Sequence, residues 1–144
     1  MNINIKKLHA NAVIPTYAKE GDAGMDLTAT SLDYDKDTQI LSIGTGLSVE
    51  IPEDYVGLIY MRSSVYKTNC LTANAVGVID SGYRGELICK FRLFPKYDSF
   101  WRRLFYSPKR IIESTYKIGD RVCQLMIMPY SYVKFIETNE LSSS

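Results

Sequence analysis

Short stretches that alternate apolar and polar residues fill most of this chain. Several are rich in Val, Ile, Leu or Tyr and are bounded by turn residues: INIKKL (3–8), QILSIGTGLSVEIP (39–52), YVGLIYM (55–61), AVGVID (75–80), ELICKFRLF (86–94), RVCQLMIMPY (121–130) and YVKFIE (132–137). Alternation with a period of two residues is typical of half-buried β-strands. No long window shows helical periodicity. The pattern therefore predicts an all-β sandwich or barrel.

The size and charge of the chain narrow the class further. It has 144 residues, of which 46% are hydrophobic and 23% charged, and its formal net charge is +1. This is enough for one domain, residues 1–144, with a sizeable core and no global attraction to nucleic acid or anionic membranes. No apolar run approaches a membrane span, and the N-terminus has no signal core. We expect a cytoplasmic protein, located in the host cytoplasm if the source is viral.

The cysteines and the single histidine exclude several chemistries. Cys70, Cys89 and Cys123 are far apart and lack a C-x-x-C pair, so we expect small buried hydrophobes rather than disulfides or a zinc site. His9 has no obvious nucleophile beside it, which argues against most Ser-His-Asp and Cys-His mechanisms.

Two short helices are predicted. The first is RSSVYKTN (62–69), which Ser63 or Ser64 can cap. The second is DSFWRRLF (98–105), which Asp98 or Ser99 can start and which Pro108 ends. Its aromatic and aliphatic residues would share one face: Phe100, Trp101, Leu104 and Phe105.

The start of the first helix is a candidate phosphate site. Free amides and partial positive charge lie at a helix N-terminus, and Arg62, Ser63 and Ser64 would add donors. The same residues also suit an ordinary capped helix with an exposed arginine.

Two further stretches carry isolated polar candidates. In GDAGMDLTAT (21–30), Asp26 lies just before a predicted strand and could orient a hydrated Mg²⁺, or could bond nearby amides in a turn. In GDRVCQLMI (119–127), Gln124 stands among apolar residues. It is either an outward strand position, which alternation favours, or an amide donor aimed at a phosphate.

The stretch NAVGVIDSGYRGE (74–86) is the fourth candidate. Asp80 ends a predicted buried strand at a hairpin, where a fixed carboxylate can accept a proton from water. Tyr83 would present a flat ring to a sugar or base, and Gly77 would let a ligand approach the backbone. Alternatively, Asp80 and Gly82 only form the turn and Tyr83 packs on the sheet.

Together these stretches resemble the motifs of the trimeric dUTP pyrophosphatase (dUTPase) family. The matches, in family order, are AGMDL, RSS followed by YK, NAVGVIDSGYRGE and GDRVCQL. They extend the resemblance from about Ile5 to Leu141, and four ordered motifs are far more specific than any one.

The resemblance implies a distorted jelly-roll β-barrel that forms a homotrimer with three shared active sites. The reaction would convert dUTP and water to dUMP and pyrophosphate. Asp80 would activate the attacking water, Tyr83 would lie against the deoxyribose, and the hairpin with Asn74 and Gly77 would read uracil. The phosphates would be held by Arg62, Ser63, Ser64 and Gln124. Asp26 would hold water ligands of a Mg²⁺ that the triphosphate carries in.

The sequence departs from the family pattern in two places. The family's glycine-rich C-terminal arm does not follow ETNELSSS here; either the sequence stops short of it or the protein works without it. Without the arm, we expect substrate to bind but turnover to be slower. An insertion at about 91–117 contains eight aromatic residues and seven Lys or Arg. It either packs on its own barrel, contacts another protein or nucleic acid, or partly replaces the arm.

Two other functions compete. The dCTP deaminases resemble dUTPases in fold, but Lys90 stands where that family has its catalytic glutamate. A lysine cannot serve as that acid-base carboxylate, which argues against a deaminase. A nucleotide-binding regulatory or interaction protein with weak or no hydrolysis would also suit a chain that lacks the arm.

Overall fold

A computed structural model describes residues 1–94 and 115–143, in which ten β-strands and one 3-10 helix are assigned. The strands are β1 (Asn4–Lys7), β2 (Met25–Thr28), β3 (Ser31–Asp35), β4 (Ile40–Gly44), β5 (Leu47–Glu50), β6 (Tyr55–Met61), β7 (Cys70–Thr72), β8 (Gly77–Ile79), β9 (Ile88–Leu93) and β10 (Arg121–Pro129). The 3-10 helix covers Ser63–Lys67, between β6 and β7. The prediction of an all-β protein is confirmed.

The strands form three antiparallel sheets. One pairs β1 with β5, the second has the order β2-β10-β6-β8, and the third has the order β3-β4-β9-β7. Both four-stranded sheets contribute side chains to one buried cluster, including Leu27 and Leu125 from the second sheet and Leu41 and Phe91 from the third. In the described residues the sheets enclose this core without closing into one hydrogen-bonded ring.

Strand β9 shows how the sequence pattern produces the core. Its side chains alternate strictly, so that Cys89, Phe91 and Leu93 are buried and the residues between them are exposed. The ring of Phe91 packs against Tyr116, with centroids 5.5 Å apart. Burial of this apolar face removes hydrocarbon surface from water, which stabilises the packing of the sheet on the core. All three cysteines are free and buried, as predicted.

Several predicted strands have different limits in the structure. Residues 55–61 match β6, but 39–52 is two strands, β4 and β5, with a break at Thr45 and Gly46. Gly46 has a φ of +66°, a left-handed conformation that disfavours other residues and turns the chain there. The short strands β3 and β7 were not predicted, and the strand predicted after Asp26 begins earlier, as β2 at Met25, so that Asp26 lies inside it.

The predicted strand at 132–137 is wrong for this chain. No strand forms there, and Phe135 and Ile136 are 92% and 85% exposed. A strand needs hydrogen bonds from a neighbour, and no strand among the described residues of the chain pairs with this segment.

The first predicted helix is a short 3-10 helix, and its predicted cap is wrong. Arg62 occupies the N-cap position, and no side chain of the described residues caps the helix by a hydrogen bond. Instead of capping, the Ser64 hydroxyl accepts a hydrogen bond from Arg62 Nη1 at 3.3 Å.

The predicted helix at 98–105, with its capping residues, lies outside the described residues, as does most of the insertion at 91–117. The ends of that segment belong to the core: residues 91–93 are part of β9, and Tyr116 packs on Phe91. Within 1–94 and 115–143, no helix has the length and apolar character needed to cross a membrane.

Candidate functional site

Three motifs that are distant in sequence come together on one face of the second sheet. Asp26 of β2 lies directly opposite Gln124 of β10, which in turn lies opposite Tyr60 of β6. Arg62 follows the end of β6. Because directly opposed residues of antiparallel strands share a face, the sheet places the first, second and fourth motifs side by side.

The carboxylate of Asp26 is the centre of this cluster. Its Oδ1 accepts a hydrogen bond from Arg62 Nε at 2.7 Å, and its Oδ2 accepts one from Arg121 Nη1 at 3.1 Å. The Asp26 side chain is 14% exposed. Two guanidinium groups share one carboxylate, so the three side chains together carry a net positive charge. Such a cluster suits an anion, since guanidinium donors match phosphate geometry.

The side chain of Gln124 packs closely against the backbone of Gly24. It is half-buried, on the outward side of β10 between buried Cys123 and Leu125, as strand alternation predicts. A Cβ added to Gly24 would lie 3.2 Å from Gln124 Cβ and 3.3 Å from Cδ. Gly24 therefore allows the close approach that packs this side chain beside Asp26.

The third motif forms a tight turn at the end of β8. Tyr83 N donates to Asp80 O at 3.0 Å, and the Asp80 side chain is exposed. The prediction that Asp80 ends a buried strand is wrong, because Val78 of β8 is 62% exposed. The physical reason is that β8 lies at the edge of its sheet and, among the described strands, pairs only with β6.

Tyr83 is fixed over the turn by its neighbours. Its hydroxyl donates to Glu86 O at 2.9 Å, and its side chain remains 42% exposed. A Cβ on Gly85 would lie 2.6 Å from Tyr83 Cζ and would also collide with the hydroxyl oxygen. Gly85 is therefore needed for the position of the ring, a role that the sequence pattern did not reveal.

Asn74 and Gly77 lie at the opposite end of the hairpin from Asp80. A Cβ on Gly77 would lie 3.2 Å from Ile59 Cβ and 3.6 Å from Asn74 Nδ2. The close packing of β8 on β6 therefore favours a glycine at position 77, independently of any ligand that approaches the backbone there.

Within one chain, the structure does not bring Asp80 to Arg62. The register pairs Gly77 with Ile59 and Ile79 with Gly57, so Asp80 is level with the start of β6 and Arg62 follows its end. At the rise of an extended strand, the two ends are about 20 Å apart. The predicted residues therefore form two groups, with Asp80 and Tyr83 in one and Asp26, Arg62, Ser64 and Gln124 in the other. Ser63 is exposed at the start of the 3-10 helix.

Among the residues that the structure describes, no three His, Cys, Asp or Glu side chains gather to hold an ion. Asp26 is the carboxylate nearest the cationic residues, and both of its oxygens already accept hydrogen bonds from arginine.

Arg121 belongs to the cluster around Asp26 but was not predicted from the sequence. Its position in GDRVCQL was visible, but strand alternation alone places Arg121 and Gln124 on opposite faces. Only the register of β10 against β2 shows that they lie together.

Comparison with known proteins gives consistent matches. The dUTPase family model matches residues 10–98. The deoxyuridine 5'-triphosphate nucleotidohydrolase of Nocardia farcinica is 32% identical over 144 residues, which cover 99% of this chain and 78% of that protein.

Two solved structures of phage proteins have the same fold. The Staphylococcus bacteriophage 80alpha dUTPase matches with a TM-score of 0.72 and 26% identity over 99% of both chains. A point mutant of the dUTPase from the S. aureus phage phi11, whose structure shows coordination of a structural Mg(II) ion, matches with a TM-score of 0.75 and 23% identity. That match covers 97% of this chain and 98% of the phage protein.

Proposed function

This chain belongs to the dUTPase family, and on that basis we propose that it hydrolyses dUTP to dUMP and pyrophosphate. The observation that carries the proposal is the convergence of Asp26, Arg62 and Gln124, from three separate motifs, on one positively charged face. A plain structural β-sandwich has no need for two arginines around a nearly buried carboxylate.

The phosphates would be held by Arg62, Ser63, Ser64 and Gln124. The Arg62 guanidinium has five N–H donors, and it uses one on Asp26 and one on Ser64. The remaining donors are held in a fixed orientation by these two bonds. A donor set that is already oriented stabilises charge on a phosphate without reorganisation during the reaction.

Asp80 would act as the general base. Its carboxylate is exposed at a hydrogen-bonded turn, and no side-chain hydrogen bond to it from another described residue is present. It would accept a proton from the water whose oxygen forms the new bond to the α-phosphorus. The bond from that phosphorus to the bridging oxygen breaks, and pyrophosphate leaves with the electron pair.

The nucleoside would lie along the hairpin. Main-chain groups from Asn74 to Asp80 would read uracil, with Gly77 leaving the backbone open, and Tyr83 would lie against the deoxyribose. Such a site discriminates strongly between bases, because a wrong base leaves buried polar groups without partners. A ribose would be disfavoured because its 2′-hydroxyl would meet the ring of Tyr83.

Separate copies of the chain would bring the two groups of residues together in a homotrimer. The distance between Asp80 and Arg62 in one chain supports this arrangement, as do the exposed apolar residues that one chain leaves uncovered. Val78 on β8 is 62% exposed, and Tyr132 and Phe135 near the C-terminus are 84% and 92% exposed. Exposed apolar surface of this kind is common where another subunit packs.

Mg²⁺ would be held through water by Asp26. An ionised carboxylate has about four lone-pair positions, and the two arginines occupy two of them, so its remaining positions fit water ligands rather than a bare ion. When bound, the ion would neutralise negative charge on the phosphates.

Pyrophosphate release from dUTP, dTTP, UTP and dCTP with Mg²⁺ tests the proposal. We expect dUTP to be preferred, and Asp80→Asn to lower kcat by about 10²-fold or more at unchanged melting temperature. Equal hydrolysis by the parent and Asp80→Asn would remove Asp80 from the mechanism. Ammonia release from dCTP would favour a deaminase, and tight dUTP binding without hydrolysis would favour a regulatory nucleotide-binding protein.

A further inference from the structure

Strand β10 contains a bulge at the start of its pairing with β2. Arg121 is paired with Thr28 and Cys123 with Leu27, so Val122 is an extra residue without a partner on β2. Val122 and Cys123 are adjacent, yet both are fully buried. In a regular strand, neighbouring side chains point to opposite faces, so the bulge has changed the direction of the residues before it.

The bulge turns Arg121 towards the cluster around Asp26. Gln124 lies opposite Asp26, and Arg121 lies opposite Thr28, two residues further along the same face of β2. Without the bulge, Arg121 would point to the face of buried Cys123. Bulges commonly redirect side chains beside functional sites, and here the result is the 3.1 Å bond from Arg121 Nη1 to Asp26 Oδ2.

The shared carboxylate fixes the two arginines close to each other. The bonds of 2.7 and 3.1 Å to one carboxylate keep the bonded nitrogens of Arg62 and Arg121 within about 8 Å. The Arg121 side chain is 57% exposed and the Arg62 side chain 23% exposed, so both keep donors open to a ligand. Asp26 balances only one of the two positive charges.

We propose that Arg121 is a second cationic residue of the phosphate site, contacting the polyphosphate of dUTP, or released pyrophosphate, beside Arg62. This inference rests on the proposed function and adds a residue to the same site. A polyphosphate carries several negative charges over a length that two adjacent guanidinium groups can span, and each guanidinium can donate two parallel hydrogen bonds.

Calorimetric titration with inorganic pyrophosphate, in EDTA, tests this contact without metal or turnover. The variants are Arg121→Gln and Arg121→Lys, with Arg92→Gln as a matched control because Arg92 is exposed on β9 of the other sheet. We expect Arg121→Gln to weaken pyrophosphate binding about 10-fold or more, Arg121→Lys about threefold, and Arg92→Gln less than about twofold. The KM for dUTP should rise in Arg121→Gln more than kcat falls.

A structural role alone would lower the melting temperature of Arg121→Gln without changing its pyrophosphate affinity. Affinity within twofold of the parent in the folded variants, equal loss in Arg92→Gln, or no binding by the parent would overturn the inference. If Arg121→Gln does not fold, a pyrophosphate affinity of Arg121→Lys within twofold of the parent would overturn the inference.

Failure of the inference and failure of the proposed function give different results. A parent that hydrolyses dUTP with Arg121 variants that bind pyrophosphate normally refutes only the inference. Arg121-dependent pyrophosphate binding by a parent that does not hydrolyse dUTP refutes only the proposed function.

Discussion

The substitution Gly85→Ala should displace the ring of Tyr83. The new Cβ would lie 2.6 Å from Tyr83 Cζ and 3.0 Å from Cε2, both inside van der Waals contact. Gly85 does not have a positive φ, so alanine adds no backbone strain there. The steric conflict is removed only if the ring moves away and its hydrogen bond to Glu86 O, 2.9 Å long, is lost.

The magnitude follows from that hydrogen bond. Its loss should lower the free energy of unfolding by about 0.5–1.5 kcal/mol, which corresponds to a few degrees in melting temperature. If Tyr83 contacts the deoxyribose as proposed, the preference for dUTP over UTP should fall about 10-fold, which is about 1.4 kcal/mol in differential transition-state binding.

A thermal melt and the ratio of kcat/KM for dUTP and UTP measure both effects. Gly82→Ala is the matched control, since it lies in the same turn and its added Cβ meets no atom of the described part of the chain within 4 Å. Parental stability and parental dUTP preference in Gly85→Ala would refute the packing argument. Reduced stability with unchanged preference would refute the role of Tyr83 at the sugar.

Two further predictions concern the stability of the core. Gly57→Ala would place a Cβ 2.6 Å from Ile51 Cδ1 and 3.2 Å from Ile79 Cβ, so urea unfolding should show a loss of about 1–3 kcal/mol; an unchanged midpoint would contradict this. Burial raises the pKa of Cys70, and a hydrogen bond with Cys89 together with burial raises that of Cys123, from an ordinary value of 9.0. Above that pH the unfolded chain loses thiol protons that the folded chain retains, so the free energy of unfolding should fall as pH rises. Cys123→Ala should reduce this alkaline slope in unfolding measurements, and an identical slope in parent and variant would refute the assignment.

Much of the fold could be predicted from local patterns. Strict alternation in β9 and the apolar run of β6 are properties of a few adjacent residues, and the structure confirms both. The start of β2 was misplaced because the limits of this four-residue strand are set by its pairing with β10. The predicted strand at 132–137 has the alternation of a strand, but no described strand of its own chain pairs with it. Local sequence therefore indicates a tendency to extend, while pairing decides whether a strand forms.

The residues of the candidate site were predictable where they lie in contiguous motifs. They were not predictable where the register between two strands determines which face a side chain occupies. Asp26, Arg62 and Gln124 were identified from their stretches, and the sheet brings them together. Arg121 was missed because a bulge of one residue reverses its face, and no local pattern in GDRVCQL marks the bulge. The cap at Ser63 or Ser64 was wrong because an arginine bonded to Asp26 and Ser64 starts a 3-10 helix instead.

The central claim is that Asp80 from one chain and Arg62 from another complete each active site. Mixing Asp80→Asn and Arg62→Gln chains tests it, after each variant alone is shown to be folded, trimeric and inactive. Random assembly at equal ratio should restore about one quarter of the parental dUTP hydrolysis. Half of the chains supply an intact Asp80 and half supply an intact Arg62, so about one site in four receives both. Sites built within single chains would contain no intact combination, so a mixture as inactive as the separate variants would contradict the account.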